Sequence, residues 1–290
     1  MHLSVNLSTG LWQDFKSGDN GNFFHLISYL EGIPLDRARA FIMSKMFDTP
    51  EKLFQNISEI KKEQKSLYSN NIGDEFKNFK EVDLKNSKNS IHLSEKLASN
   101  FVRERKLHRC KFYVSLSGQY INRIIIPYTK NKKPYYFQAR NLTSFGMKYL
   151  NPKASEYGIK SSDILYPFNK DKNYIIVTEG PLDSMSLQIN GFNSTCTQGS
   201  NLSANQIKQL GDRKIILSYD NDEAGKKGIV KSRTNCLYKN MDNLYVLHPP
   251  EKYKDWNEFH VDSNESNISD YITANIKKID FEYFLTSKLS

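Results

Sequence analysis

Between residues 171 and 250 short apolar runs alternate with helix-like segments, and that alternation limits the fold more than any other feature of the sequence. Y-I-I-V-T (174–178) is apolar without a break, as a strand covered on both faces requires. The next segment, P-L-D-S-M-S-L-Q-I-N-G, reads as a helix with Pro181 in its first turn and Gly191 past its end. N-S-T-C-T is a second strand, Ser203 opens a helix to about Leu210, and K-I-I-L-S-Y is a third strand. A helix follows over 223–239, then a last strand in L-Y-V-L. Strands and helices of this length in strict alternation predict an α/β domain with a parallel sheet and helices on both faces.

Upstream the text changes character. Residues 1–47 read as a small β/α module in which Asp19 or Asn20 caps a short amphipathic helix. Over 48–94 Lys, Glu, Asn and Ser dominate, which predicts a linker, partly helical near 57–67. Leu93, Leu97, Phe101 and Val102 then follow helical spacing, with Ser94 as the cap. Two strands, 122–128 and 134–141, flank the polar turn T-K-N-K-K and form a hairpin. The expected organisation is therefore a module (1–47), a linker (48–94), a basic α+β subdomain (95–170), the parallel-sheet domain (171–262) and a tail (263–290), α+β taken as a whole.

In parallel sheets functional groups gather beyond the carboxyl ends of the strands. Glu179 directly follows one expected strand, and Asp220 and Asp222 follow another. If those strands are neighbours, three carboxylates converge, and i, i+2 spacing turns Asp220 and Asp222 to one side with Asn221 facing away. Oxygen ligands without Cys or His suit Mg²⁺ or Mn²⁺ rather than Zn²⁺. Gly180 and Gly225 would let the backbone approach a phosphate. An acid after a strand is often only a helix cap, and Asp183 is explicable as a first-turn acid, so joint placement carries the reading.

Charge fits such a site. The chain has 41 Lys+Arg against 32 Asp+Glu, a net charge of +9, which favours a polyanionic partner, nucleic acid before membrane. No apolar run approaches the roughly 18 residues of a spanning helix, and the first 20 residues lack a signal-peptide pattern, so a cytoplasmic protein is expected. Cys110, Cys196 and Cys236 are far apart, which argues against disulfides and a Cys-rich zinc site.

E-G-P-L-D (Glu179 to Asp183) followed by Y-D-N-D-E-A-G (Tyr219 to Gly225) resembles the TOPRIM domain of primases, topoisomerases and related nucleases. N-R-I-I-I-P-Y, F-Q-A-R, K-Y-L-N-P and L-Y-P-F upstream, in that order, resemble the basic subdomain of DnaG-type primases, and K-D-W-N-E (Lys254 to Glu258) resembles the family's third acidic segment. The resemblance covers roughly 96–262. The first 40 residues are similar to the trailing half of the family's N-terminal zinc ribbon, but without its cysteines. Small size and Lys/Asn/Ile-rich text point to a phage or an AT-rich host.

The resemblance implies a DNA primase, which makes short RNA primers from ribonucleoside triphosphates on single-stranded DNA. Glu179, Asp220 and Asp222 would be catalytic. With Asp183 and Asp255 they would hold Mg²⁺ or Mn²⁺, Asn257 being of second rank. Arg123, Arg140, Lys148, Tyr149, Asn151, Lys226 and Lys227 would meet nucleotide or template, although a solvated face is the plainer reading of the lysines. Without a G-x-x-x-x-G-K-[ST] motif in the sequence, a replicative helicase would act in trans. The alternatives are a TOPRIM-type nuclease and a non-catalytic binder of nucleic acid or helicase.

Overall fold

The computed structural model describes residues 3–6, 11–14, 19–32, 34–39, 71–87, 90–239 and 241–279. It divides into two units, Met1–Leu67 and Tyr68–Ser290. In the first, β1 (Leu3–Asn6), β2 (Leu11–Asp14) and β3 (Asn20–Gly21) form an antiparallel sheet followed by α1 (Phe23–Glu31). Trp12 is buried and donates its indole N–H to the Asn22 carbonyl at 3.1 Å. The helix cap is Asn22, not Asp19 or Asn20. Its side chain accepts from the Phe24 and His25 N–H groups, while Asn20 is held in β3. The helix expected near 57–67 lies outside the described residues.

The second unit begins with α2 (Ile72–Glu75) and β4 (Phe79–Glu81), where the composition predicts linker. Ile72 and Phe79 explain the difference, because both are buried among Tyr120, Ile125 and Phe137, and β4 pairs with β5 (Tyr113–Ser115). Between them runs α3 (Leu93–Glu104). Its N-cap is His92, two residues earlier than expected, and Ser94 instead donates its hydroxyl to Asn122 Oδ1 at 2.7 Å. The hairpin is β6 (Arg123–Lys130) and β7 (Lys133–Asn141), to which the short β8 (Tyr149–Leu150) adds, completing an antiparallel sheet in the order β4-β5-β6-β7-β8. A short helix, α4 (Ala154–Tyr157), follows.

Period-two alternation sorts this sheet's side chains. Ile124, Ile126 and Tyr128 enter a core with Ala98, Phe101, Val102, Leu182 and Met185. Ile125, Phe137 and Ala139 enter the opposite one.

The parallel sheet is built as the alternation requires. Its elements are β9 (Tyr174–Thr178), α5 (Pro181–Ile189), β10 (Ser194–Cys196), α6 (Ala204–Leu210), β11 (Lys214–Leu217), α7 (Glu223–Leu237) and β12 (Leu244–Val246). The chain continues through α8 (Trp256–Asp262) and α9 (Glu265–Asn275) to β13 (Lys277–Lys278), which closes the edge antiparallel to β12. The strand order is β10-β9-β11-β12-β13. Along β9, Ile175 and Val177 face a core with Ile207, Leu217 and Ile229, while Ile176 faces the other with Leu187, Trp256 and Ile272. Ile268 and Ile272 thus place the described part of the tail, through residue 279, on the sheet.

Ser203 and Gln206 form a reciprocal capping box on α6. Replacing Ser203 by Ala is expected to cost about 1 kcal/mol, read from the denaturant midpoint. No helix among the described residues is long and apolar enough to cross a membrane.

Candidate active site at the carboxyl ends of the strands

The strands β9 and β11 are parallel neighbours in register from Lys214↔Tyr174 to Leu217↔Val177, so the residues after them emerge side by side. Glu179 and Asp220 therefore share one wall of a cavity of about 340 Å³. Asp183, in the first turn of α5, and Asp255, the N-cap of α8, complete the acidic side. Asp183 accepts the Asn257 N–H at 3.1 Å, while Asn257 donates its amide to Ser186 Oγ and to the Arg105 carbonyl.

Burial and mutual repulsion raise the proton affinity of this group. Burial, then the Asp220 charge, pushes Glu179 from 4.5 to about 7. Burial, then Asp255 and Asp222, pushes Asp220 from 3.8 to about 6, against the pull of Lys254 and Lys148. Asp183 is raised well above 3.8 by burial and by Asp255 and Asp220.

Asp222 stands apart. It caps α7, accepting the Gly225 N–H at 2.9 Å, and lies 3.6 Å from Lys254 Nζ, outside the cavity lining. The Gly225 hydrogen bond holds its carboxyl below the usual range. Asn221 turns away as expected, its amide donating to the carbonyls of Pro249, Pro250 and Tyr253. Gly225 serves close packing rather than phosphate approach, since a Cβ there would lie 2.1 Å from the Asp220 carbonyl oxygen. At Gly180 a Cβ would lie 3.2 Å from Asp183 Oδ2.

The opposite wall is cationic. Arg140, Tyr149 and Gln138 stand on the β6–β8 face that carries Ile124 and Ile126, as their registers require. Arg140 donates to Tyr149 Oη at 2.9 Å, and its guanidinium lies 5.3 Å from the centre of the Phe101 ring. Arg105 lies 4.1 Å from the same ring, so one phenyl carries two guanidiniums whose mutual repulsion an anion would relieve. Lys148 lines the cavity beside them.

Four expected contacts lie elsewhere. Arg123 faces the other side of the sheet, 9 % exposed, and donates to the Ala139 and Met147 carbonyls, a brace rather than a ligand contact. Asn151 accepts from Gln138 Nε2 at 3.4 Å and is not part of the lining. Lys226 and Lys227 are exposed on α7 away from the cavity, Lys226 being paired with Glu223. The sequence reading missed Arg105, Gln138, Gln198 and Glu258, all in the lining, and Lys254. Of these, Lys254 and Glu258 had a signal as the first and last letters of K-D-W-N-E, and Gln138 as the second letter of F-Q-A-R.

Residues 176–260 match the Toprim-like family. This segment is Toprim-like. The chain is 36 % identical over 124 residues to the DNA primase of Helicobacter pylori, covering 39 % of this chain and 22 % of that one. It is 28 % identical over 176 residues to the DNA primase of Thermotoga maritima, covering 57 % and 30 %. The chain thus spans between a fifth and a third of the length of these relatives. Among solved structures, the E. coli primase catalytic core has the same fold, with a TM-score of 0.55 at 17 % identity over 70 % of this chain and 80 % of that one. The TOPRIM acids Glu179 and Asp220 and the basic subdomain's Arg140, Lys148 and Tyr149 thus face each other across one cavity.

Proposed function

We propose that this chain is a DNA primase, joining ribonucleotides on a single-stranded DNA template. The observation that carries the reading is the cavity itself, with repelling carboxylates on one side and Arg105, Arg140 and Lys148 on the other. A triphosphate needs both, cations for its oxygens and acids to hold the metal that accompanies it. The donor set fits Mg²⁺ or Mn²⁺, since Glu179 Oε1 is buried without a hydrogen-bond partner and its acidic neighbours hold protons tightly. Among the described residues no three His, Cys, Asp or Glu side chains enclose a cation as they are oriented here.

A bound divalent ion would supply charge neutralisation and acidify the attacking hydroxyl. Asp220, Asp183 and Asp255 would hold it, with Asp222 joining through the carboxylate oxygen that faces Lys254. In the reaction a 3′-hydroxyl oxygen bonds to the α-phosphorus, the bond to the bridging oxygen breaks, and pyrophosphate leaves. Glu179, with a pKa of about 7, is suited to take the hydroxyl proton. Arg105, Arg140 and Lys148 would hold the phosphates in line. No zinc is needed for any of these steps. A helicase supplied in trans is the expected partner.

The test is incorporation of labelled ribonucleotides on mixed-sequence single-stranded DNA with Mg²⁺ or Mn²⁺, resolved by length. Short products from the wild type and none from D220A are expected. Template cleavage without incorporation replaces this reading with a nuclease, and DNA binding with neither activity replaces it with an accessory binder.

A further inference from the structure

The loop 142–148 between β7 and β8 points two large apolar side chains into water, Phe145 at 85 % and Met147 at 64 % exposure. Scattered exposed apolar residues need no explanation. This loop is different because its main chain is braced at the base and at several points along it. The Asn141 N–H donates to the Lys148 carbonyl at 2.9 Å and closes the base, while the Leu142 N–H donates to the Asn122 carbonyl at 3.0 Å. Asn141 Oδ1 accepts from the Thr143 N–H and hydroxyl, both at 2.9 Å, and Asn141 Nδ2 donates to the Phe145 carbonyl. Gly146 takes the left-handed turn (φ +88°). Arg123 donates from beneath to the Met147 carbonyl at 3.0 Å. A buried arginine thus braces a loop whose tip is an unpartnered phenyl ring, and the two residues after Met147, Lys148 and Tyr149, line the cavity.

We infer that Phe145, flanked by Met147, is a stacking platform for an unpaired nucleobase of the strand that runs through the cavity. The inference rests on the proposed template-directed reading. Planar apolar surface beside a cation is the chemistry that binds single-stranded nucleic acid without regard to sequence, the ring taking the base and Lys148 the neighbouring phosphate. The thioether of Met147 suits the edge of the same base. Because the backbone is already fixed, little ordering cost is left at binding. Arg123 then acts through the loop it braces and touches no nucleic acid itself.

The experiment measures binding of the full chain to fluorescein-labelled oligothymidylate and oligodeoxyadenylate by anisotropy over a range of salt concentrations. Phe145 is exposed, so F145L should melt as the wild type does. F145L is expected to weaken both oligonucleotides by about 5- to 50-fold with an unchanged salt slope, and F145W to restore binding. K148A should instead lower the slope by about 0.7, as loss of one phosphate contact on a single strand does. If F145L binds within about twofold of wild type while K148A shows its slope change, the platform is overturned and the primase reading stands. If the wild type binds neither oligonucleotide, both fall together.

Discussion

On the proposed reading, changing Glu179 to Gln is expected to silence primer synthesis and to make the metal-free protein more stable at pH 7.5. The first effect is a loss of about 10²–10⁴ in rate, the range of a missing general base. The second follows from proton linkage. Glu179 ionises near 4.5 in the unfolded chain and near 7 in the folded one, so between those values the folded state holds more protons and stability falls as pH rises. The stability present below pH 4.5 is lost as the pH passes through about 7.

The unscreened ceiling is about 3.4 kcal/mol, and for a partly exposed carboxylate a gain of about 1–2 kcal/mol for E179Q is expected. Urea titrations in chelator at pH 5 and 7.5 check it, the variant's advantage appearing only at the higher pH. Added Mg²⁺ should raise the wild-type melting temperature, because a cation binding only the folded state shifts the equilibrium, and should raise that of E179Q less. Equal stability of the two proteins at both pH values would mean that neither burial nor the Asp220 charge disfavours the Glu179 carboxylate.

The same electrostatics explain why the acids were legible in the sequence while the cations were only half so. Glu179 and Asp220 are placed by strand ends, and Ile175-Ile176-Val177 and Ile215-Ile216-Leu217 mark those strands plainly because both faces are covered. Arg123 and Arg140 look alike as letters. Their difference is one residue of register, since Arg140 lies opposite Ile124 and shares its face, whereas Arg123 lies opposite Asn141 on the other. No local pattern encodes that pairing. Arg105 was invisible for a related reason, because it reaches the cavity from the residue just past the end of α3, and only the tertiary position of Phe101 brings it beside Arg140. The linker reading of 72–81 failed because two buried residues, Ile72 and Phe79, suffice to seat an edge strand in an otherwise polar segment. In the acidic segment Asp222 matched the pattern, and the structure gives one of its oxygens to the cap of α7.

Replacing Gly225 by Ala should cost about 3 kcal/mol, although in an exposed helix the same change is favourable by about 1 kcal/mol. The added Cβ would lie 2.1 Å from the Asp220 carbonyl oxygen and 3.0 Å from that residue's N and C atoms, all backbone, so no side chain can swing aside. Either the first turn of α7 lifts, losing the Asp222 Oδ1 bond to the residue 225 N–H, or the Asp220 peptide is pushed toward the cavity. Gly228 one turn on prevents a compensating slide, because a Cβ there would sit 2.3 Å from the Ser200 carbonyl oxygen. Both escapes move a carboxylate, so synthesis should fall further than stability does. Thermal melting gives the first quantity. Incorporation measured well below the melting temperature, where the variant is still folded, gives the second. A variant that melts like the wild type would show that α7 does not rest on the Asp220 peptide, and one that is destabilised but fully active would show that Asp220 holds its place without the helix. Gly225 is thus the hinge between fold and chemistry, fixing the helix that Asp222 caps against the peptide from which Asp220 projects.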